Sequence, residues 1–153
     1  MSANIPIVSD ISVEERCASL LTAFRNHCVE SSEKPNILIR VPLRICPLGA
    51  HSDHQGGVVT GLTINRYIDM LVQPVESSEV SVFSLVYGER RQATLHEAPI
   101  KTPGDWGSYL QGVVRVFGEM FPQATRGFKG IVQGTMPIGG LSSSAAITIA
   151  YSK

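Results

Sequence analysis

A segment of small residues near the end of the chain, residues 137–146 with the sequence PIGGLSSSAA, constrains the fold more than any other. Its glycines allow the backbone to pass close to a ligand, and its serines lead into an apolar run that is typical of the first turns of a helix. The free N–H groups and the positive dipole end of a helix N-terminus suit an anion such as phosphate. The segment lacks both the lysine of a P-loop and the G-x-G-x-x-G pattern of dinucleotide sites. By itself it therefore predicts either a phosphate-binding loop or an ordinary capped helix start.

Composition excludes several classes of function. The 13 basic side chains balance the 13 acidic ones, so no overall charge would draw nucleic acid or an anionic membrane to the chain. A hydrophobic content of 43% with 17% charged residues is typical of a folded globular protein. No apolar run has the length of a transmembrane helix, and the first residues lack the features of a signal peptide. We therefore expect a soluble, cytoplasmic protein that binds neither nucleic acid nor membrane.

The cysteine pattern agrees with a reducing compartment. The chain has three cysteines, Cys17, Cys28 and Cys46, and none of them forms a C-x-x-C pair. Cys17 and Cys28 fall on one predicted helix, where eleven steps separate them by roughly 16 Å. That separation is beyond the reach of a disulfide. We expect three reduced thiols, at least two of them packed in the core.

The rest of the chain alternates between predicted strands and helices, which indicates an α+β fold. A capping box from Ser12 to Glu15 opens a predicted helix over residues 12–30. Asp105 is predicted to be the N-cap of a second amphipathic helix, whose first aromatic residue, Trp106, is expected in the core. Strands are predicted at residues 36–41, 58–64, 67–72, 79–87, 91–96 and 127–135.

A second cluster of polar side chains lies in a predicted loop that glycines frame. An aspartate in a tight loop can accept hydrogen bonds from two neighbouring hydroxyls, as sugar recognition requires, and an arginine can hold a charged oxygen. A zinc site that includes Cys46 is disfavoured, because the spacing fits no structural zinc site. A polar turn without a ligand is the remaining alternative. The cluster consists of Arg44, His51, Asp53 and His54.

Together the two segments resemble a known family. Residues 44–57 resemble the first signature of galactokinases, roughly R-V-N-L-I-G-E-H-T-D-Y-N-G-G, and residues 137–146 resemble the second signature of the GHMP kinases, P-x-G-G-G-L-S-S-S-A. In the second predicted helix, Trp106, Tyr109, Gly112 and Val113 are similar to the family's helix between these signatures. Order and separation match as well, from about residue 37 onward. On these motifs the chain is identified as a member of the galactokinase family within the GHMP kinase superfamily.

The resemblance implies a fold and a reaction. The implied fold is an incomplete GHMP kinase N-terminal lobe, similar to ribosomal protein S5 domain 2. Residues 36–153 would form this lobe, and residues 1–35 a leader and the N-terminal helix. The implied reaction is an ATP-dependent transfer of phosphate to the anomeric hydroxyl of a sugar. The family's catalytic Asp and its third signature follow the second signature and are not in these 153 residues. We therefore expect the chain alone to be inactive.

The resemblance also assigns roles to individual residues. Arg44 would be catalytic, beside the transferring phosphate. Ser144, with Ser143 as the alternative, would help to hold Mg²⁺. The sugar would contact Ala50, His51, Asp53 and His54. The ATP phosphates would contact Pro137, Gly139, Gly140, Leu141, Ser142, Ser143, Ser144 and Ala145.

Two departures from the galactokinase signature bear on the substrate. The family's Glu, which lies near the C6 hydroxyl of the sugar, is Ala50 here, and its Tyr after the Asp is His54. In these positions the segment resembles galacturonokinase, whose substrate has a carboxylate at C6. Two like charges about 4 Å apart cost roughly 1 kcal/mol in water and about 4 kcal/mol at an effective dielectric constant of about 20. Loss of the Glu would therefore favour a uronic acid such as galacturonate. Galactose as substrate and a non-catalytic sugar- or nucleotide-binding module remain as alternatives.

Overall fold

The computed structural model describes residues 12–28, 35, 37–49, 52–98, 104–135 and 142–153, with the backbone alone at residue 53. The helices are α1 (Val13–Cys28), α2 (Gly107–Met120) and α3 (Ser143–Tyr151), and a short 3-10 helix spans Asp53–Gln55. The strands are β1 (Ile37–Ile45), β2 (Leu62–Pro74), β3 (Glu79–Ser84), β4 (Glu89–Thr94) and β5 (Phe128–Gly134).

The five strands form one sheet in the order β1-β2-β5-β3-β4. All neighbouring pairs are antiparallel except β3 and β5, which run parallel. The parallel pair requires a long connection between its strands, and α2 lies within it. Helices α2 and α3 share one apolar cluster with the sheet, and α1 shares a second one. The α+β fold class expected from the sequence is confirmed.

Strand β2 shows how the sequence builds both clusters. Successive side chains of a strand point to opposite faces of the sheet. Ile68 and Met70 accordingly belong to the cluster of α2 and α3, whereas Leu71 packs with Leu20 and Phe24 of α1. Because helices cover both faces, residues 68–73 of the strand are all buried, and the polar residues Asp69 and Gln73 are buried among the apolar ones.

Helix α1 begins at the predicted capping box. The backbone N–H of Ser12 donates to Glu15 Oε2 at 2.9 Å, and the N–H of Glu15 donates to Ser12 Oγ at 3.1 Å. These two reciprocal bonds satisfy N–H groups that have no partner within the helix. The predicted start of this helix is confirmed.

Within the described residues, no helix is both long and apolar enough to cross a membrane.

Two predictions about strands were wrong. The strands predicted at 58–64 and 67–72 fall in one strand, β2, which begins only at Leu62 and continues through Asn65 and Arg66. Strand β1 continues through Pro42 to Ile45, although a proline cannot donate to a ladder. It is tolerated because β1 is an edge strand, and the register shifts between Pro42 and Arg44. Arg44 therefore lies on a strand and not in the predicted loop.

Side-chain predictions near α2 and at the cysteines also need correction. The N-cap of α2 is Trp106 and not Asp105, whose carboxylate binds Arg91 instead. Trp106 is half-buried and lines a cavity, so it is not a core residue. Of the three free cysteines only Cys28 is buried, and Cys17 and Cys46 are half-buried, so the expectation of at least two thiols packed in the core was wrong.

Candidate active site

The fold brings the two sequence motifs into contact. Arg44 Nη2 donates a hydrogen bond to Ser142 Oγ at 3.2 Å, although 98 positions separate the two residues. Arg44 is near the end of β1, and α3, which Ser142 precedes, packs against β1. The guanidinium of one motif thus lies at the start of the helix that carries the other.

The N-terminus of α3 has the geometry of an anion site. Ser142 is the N-cap residue, but its side chain makes no capping hydrogen bond to the helix. Its backbone is in the left-handed conformation, with φ 57° and ψ 32°, which turns the hydroxyl to Arg44. The positive end of the helix dipole and the first helical N–H groups are therefore left uncapped by this serine, beside a cationic side chain. This arrangement suits a phosphate group.

A cavity of about 450 Å³ adjoins this helix start. Its volume is in the range of small-molecule sites. Ser143 and Ser144 line it from the first turn of α3, and the sheet contributes apolar side chains such as Ile68. The aromatic residues that line it come from three parts of the chain and are Tyr87, Trp106, Tyr109 and Tyr151.

Two of these aromatic rings form a stacked wall. The rings of Tyr87 and Trp106 are 5.4 Å apart between centroids and almost parallel, with an interplanar angle of 2°. Burial raises the pKa of Tyr87, and the nearby Tyr109 and Asp105 raise it further. Such flat, largely apolar surfaces are suited to a planar heterocycle.

Tyr151, the last residue of α3, also lines the cavity. Its side chain is buried, and its hydroxyl has no hydrogen-bond partner among the described residues. Burial, and to a smaller extent Tyr87, raises the pKa of this phenol well above its usual range. The group therefore remains a neutral phenol at physiological pH.

The segment of the first motif after β1 folds back on itself. The N–H of Ser52 donates to Gly49 O and the N–H of Gly57 donates to Ser52 O, both at 3.0 Å. Thr60 ties this loop to its base, because its N–H donates to Leu48 O and its hydroxyl accepts from the N–H of Leu48. These bonds replace strand pairing for a segment that was predicted in part as a strand.

The predicted site residues differ in their contacts and in whether the structure describes them. Arg44 and Ser142 are in contact, Ser143 and Ser144 line the cavity, and Ala145 is exposed one position farther along α3. His54 is exposed in the 3-10 helix, and its Nε2 is 3.3 Å from Gln55 Nε2. The remaining predicted site residues lie outside the described part of the chain; they are Ala50, His51, the side chain of Asp53, Pro137, Gly139, Gly140 and Leu141.

Metal ligands are sparse near this site. In the ranges that the structure describes, no three His, Cys, Asp or Glu side chains converge as they would around a metal ion. Cys46, the sulfur ligand of the disfavoured zinc site, has its Sγ 3.6 Å from Leu48 O instead. Ser144 supplies one hydroxyl oxygen, a ligand type compatible with Mg²⁺.

Sequence reasoning missed most of the cavity wall. Tyr87 lies in the turn between β3 and β4, Tyr151 is the last residue of α3, and no motif marks either residue. The available signal is the pair Trp106 and Tyr109, which the sequence predicts to lie on one helix, with Trp106 expected in the core and not in a binding surface. Only the packing of α2 beside α3 brings these rings to one cavity.

Comparison with known proteins gives a consistent set of similarities. The chain is 33% identical to a galacturonokinase from Arabidopsis thaliana, over 87% of this chain and 36% of that protein. It is 28% identical to a galactokinase from Haemophilus influenzae, over 78% of this chain and 31% of that protein. The structure of Lactococcus lactis galactokinase complexed with galactose matches with a TM-score of 0.76 at 24% identity, over 89% of this chain and 35% of that chain. The chain thus spans about a third of the length of the curated relatives it matches. No protein-family profile matches it.

Proposed function

The chain belongs to the galactokinase family of the GHMP kinases, and on that premise we propose that the protein it represents is an ATP-dependent sugar 1-kinase. The proposed acceptor is the anomeric hydroxyl of galacturonate or a related uronic acid. Its partners are then small molecules, a sugar acid and ATP, with Mg²⁺ as the cofactor. The three free cysteines support a cytoplasmic location.

The contact between Arg44 and Ser142 carries this proposal. It joins the motif assigned to the sugar with the motif assigned to the phosphates, at 3.2 Å. A kinase needs a sugar hydroxyl and a terminal phosphate within bonding reach of each other, and a cation beside them.

The cavity beside α3 supports ATP as the phosphate donor. The serines at the start of the helix offer uncapped N–H groups to phosphate oxygens, and the wall of Tyr87 and Trp106 offers flat apolar surface to the base. Both features line one cavity of about 450 Å³. A nucleotide triphosphate needs both kinds of surface in one place.

The reaction follows from these positions. The anomeric oxygen of the sugar attacks the γ-phosphorus, a new P–O bond forms, and the bond from that phosphorus to the β–γ bridging oxygen breaks. The products are a sugar 1-phosphate and ADP, and the hydroxyl proton passes to a base. Arg44 would hold an oxygen of the transferring group and reduce its charge repulsion with the attacking oxygen. Helix α3 would hold the remaining phosphates.

The donor set at the start of α3 fits a magnesium ion bound chiefly by phosphate oxygens and water. Mg²⁺ commonly keeps several waters and takes only one or two protein ligands. The hydroxyl of Ser144, at the cavity, can be one of them. When bound with ATP, the ion would neutralise charge on the transferring phosphate.

The choice of a uronic acid depends on Ala50. A glutamate at this position would repel a C6 carboxylate by roughly 1–4 kcal/mol at about 4 Å, which is about fivefold to a thousandfold in affinity. The similarity to a galacturonokinase over 87% of the chain supports the same choice.

We further propose that these 153 residues alone have little or no turnover, because the family's catalytic Asp is not among them.

A substrate panel tests the proposal. The intact protein is mixed with ATP, Mg²⁺ and one of galacturonate, galactose or glucuronate, and ADP release and sugar 1-phosphate are measured. We expect galacturonate to be phosphorylated with the highest kcat/KM, and Ala50→Glu to shift the preference toward galactose. Arg44→Leu should lower kcat by orders of magnitude. A matched control is Arg126→Leu, since Arg126 is an exposed arginine that forms an ion pair with exposed Glu76 at 2.6 Å.

The outcomes separate the alternatives. Preference for galactose in the unmodified protein would contradict the uronic acid assignment and leave the kinase assignment standing. Binding of sugar or ATP without any turnover by the intact protein would favour a non-catalytic binding module. Steady turnover by the isolated 153 residues would contradict the expectation that this chain alone is inactive.

A further inference from the structure

Arg91 lies on the edge strand β4, next to the aromatic wall of the cavity. Its Nε is 2.9 Å from Asp105 Oδ1 and 3.0 Å from Asp105 Oδ2. Its Nη2 is 2.6 Å from Glu89 Oε2. Its Cζ is 5.4 Å from the centroid of the Trp106 ring, within the range of a cation–π interaction. The proposed kinase function gives no role to these contacts.

The start of α2 is shaped to admit the arginine. A Cβ at Gly107 would lie 2.8 Å from Arg91 Cγ, 2.9 Å from Arg91 Cδ and 2.9 Å from Asp105 Oδ2. Carbon atoms that are not bonded approach one another to about 3.5–4.0 Å. Only glycine at this position therefore allows the arginine stem and the carboxylate to lie against the helix start at these distances.

Trp106 has no hydrogen bond of its own to fix its ring. Its Nε1 is buried and has no partner among the described residues. Among the described residues, the ring stacks on Tyr87 and lies beside the guanidinium of Arg91, and both contacts restrict its position. The backbone on either side contributes too, since Asp105 is anchored to Arg91 and Gly107 begins the helix.

We propose that Arg91 is a positioning residue that presets the Trp106 wall for the base of the nucleotide. This rests on the proposed function, because it takes the cavity to be the nucleotide site. Arg91 acts on the base side only, through Trp106. The phosphate side is built by Arg44 and the start of α3, and we expect a change at Arg91 to leave it unaltered.

The test compares a ligand that has a base with one that lacks it. Arg91→Leu removes the charge and retains an apolar stem of similar length, and Arg91→Lys retains the charge without the planar fork. Affinities of the intact protein for MgATP and for magnesium tripolyphosphate are measured by calorimetry. We expect Arg91→Leu to weaken MgATP by about two- to tenfold and to leave tripolyphosphate unchanged, with partial rescue by Arg91→Lys. The control Arg115→Leu removes an exposed arginine of α2, paired with Glu119 at 2.8 Å, and should change neither.

A spectroscopic measurement tests the positioning without any ligand. Trp106 is the only tryptophan of the 153 residues. Arg91→Leu, and separately Asp105→Asn, should raise the quenching of its fluorescence by acrylamide in a chain whose circular dichroism is unchanged. If Arg91→Leu does not fold, the affinity and quenching measurements are made on Asp105→Asn and Arg91→Lys.

Each result decides a different point. Equal losses for MgATP and tripolyphosphate would mean a general structural effect and would overturn the role of Arg91. Unchanged MgATP affinity together with unchanged quenching would overturn it as well. If the unmodified protein binds tripolyphosphate but not MgATP, the cavity is not a nucleotide site; the proposed function then fails, and the role of Arg91 fails with it.

Discussion

Gly49 and Gly56 both lie in the loop between β1 and β2, and they form a matched pair for measuring how a close backbone contact limits substitution in that loop. Gly49 and Gly56 both have positive φ, 80° and 71° respectively. A Cβ at Gly49 would lie 2.5 Å from Val58 O and 2.9 Å from Val59 Cγ1. A Cβ at Gly56 would meet no described atom within 4 Å. The two positions therefore share the conformational strain and differ in the contact.

The expected losses of stability follow from this difference. An alanine in the left-handed region costs roughly 1–2 kcal/mol at either position. At Gly49 the added Cβ must also displace the Val58 backbone, and overpacking of this kind costs about 1–3 kcal/mol more. We expect Gly49→Ala to lower the free energy of unfolding by about 2–4 kcal/mol and Gly56→Ala by about 1–2 kcal/mol. The loss of stability at Gly49 cannot exceed the free energy needed to open this loop locally, because the loop can open to avoid the clash while the rest of the chain stays folded.

Urea unfolding followed by circular dichroism measures both variants against the unmodified chain. The m-value reports whether the substitutions change the surface exposed on unfolding. In the intact protein, Gly49→Ala should also raise the KM for the sugar more than Gly56→Ala does, because Gly49 directly precedes Ala50. Equal losses of stability in the two variants would show that the loop relaxes freely and would refute the contact argument.

Two further predictions concern buried polar groups. Asp69→Asn should lower the free energy of unfolding by about 2–3 kcal/mol, which is less than the ~3–5 kcal/mol expected for a fully buried ion pair. The loss is smaller because Asp69 is 2% exposed but its partner Arg40, at 2.6 Å, keeps 25% of its side chain exposed. Thermal unfolding measures this loss against the exposed control Glu119→Gln, and a loss under about 0.5 kcal/mol would contradict the prediction. Tyr151→Phe should leave stability unchanged or raise it by up to about 1 kcal/mol at neutral pH, since the hydroxyl has no described partner. Burial raises the pKa of Tyr151 in the folded chain, so the unfolded chain loses this proton at a lower pH than the folded chain does. The free energy of unfolding is therefore unaffected by this group below the ordinary tyrosine pKa of 10.0 and falls as pH rises above it. Urea unfolding between pH 8 and 11 should therefore show a steeper decline for the unmodified chain than for Tyr151→Phe, and identical slopes would contradict the prediction.

Local sequence signals predicted the local parts of the structure well. The capping box of Ser12 and Glu15 forms as expected because both partners lie within one turn of helix. The hairpin of β3 and β4 closes at Gly88, whose φ of 67° a glycine adopts without strain. Family resemblance extended this reach, because two motifs in a fixed order indicated a fold that composition alone left open.

Predictions failed where a distant partner decides the outcome. Asp105 has the chemistry of an N-cap, but Arg91, 14 positions away, binds its carboxylate. Ser142 likewise has the chemistry of a cap, and Arg44 binds its hydroxyl across 98 positions. A charge-assisted partner can outcompete a local capping bond, and sequence order gives no measure of that distance.

The sequence by itself determined which residues carry the chemistry and that the chain is built from strands and helices around a glycine–serine segment. Its periodicity, capping residues and motifs act over a few positions, and a linear sequence records them directly. Only the tertiary structure decided that β2 is one strand, that Arg44 meets Ser142, and that Tyr87, Trp106 and Tyr151 line one cavity. The physical reason is that sheet order and helix docking are set by the burial of apolar faces from distant segments, and the site forms where those faces meet.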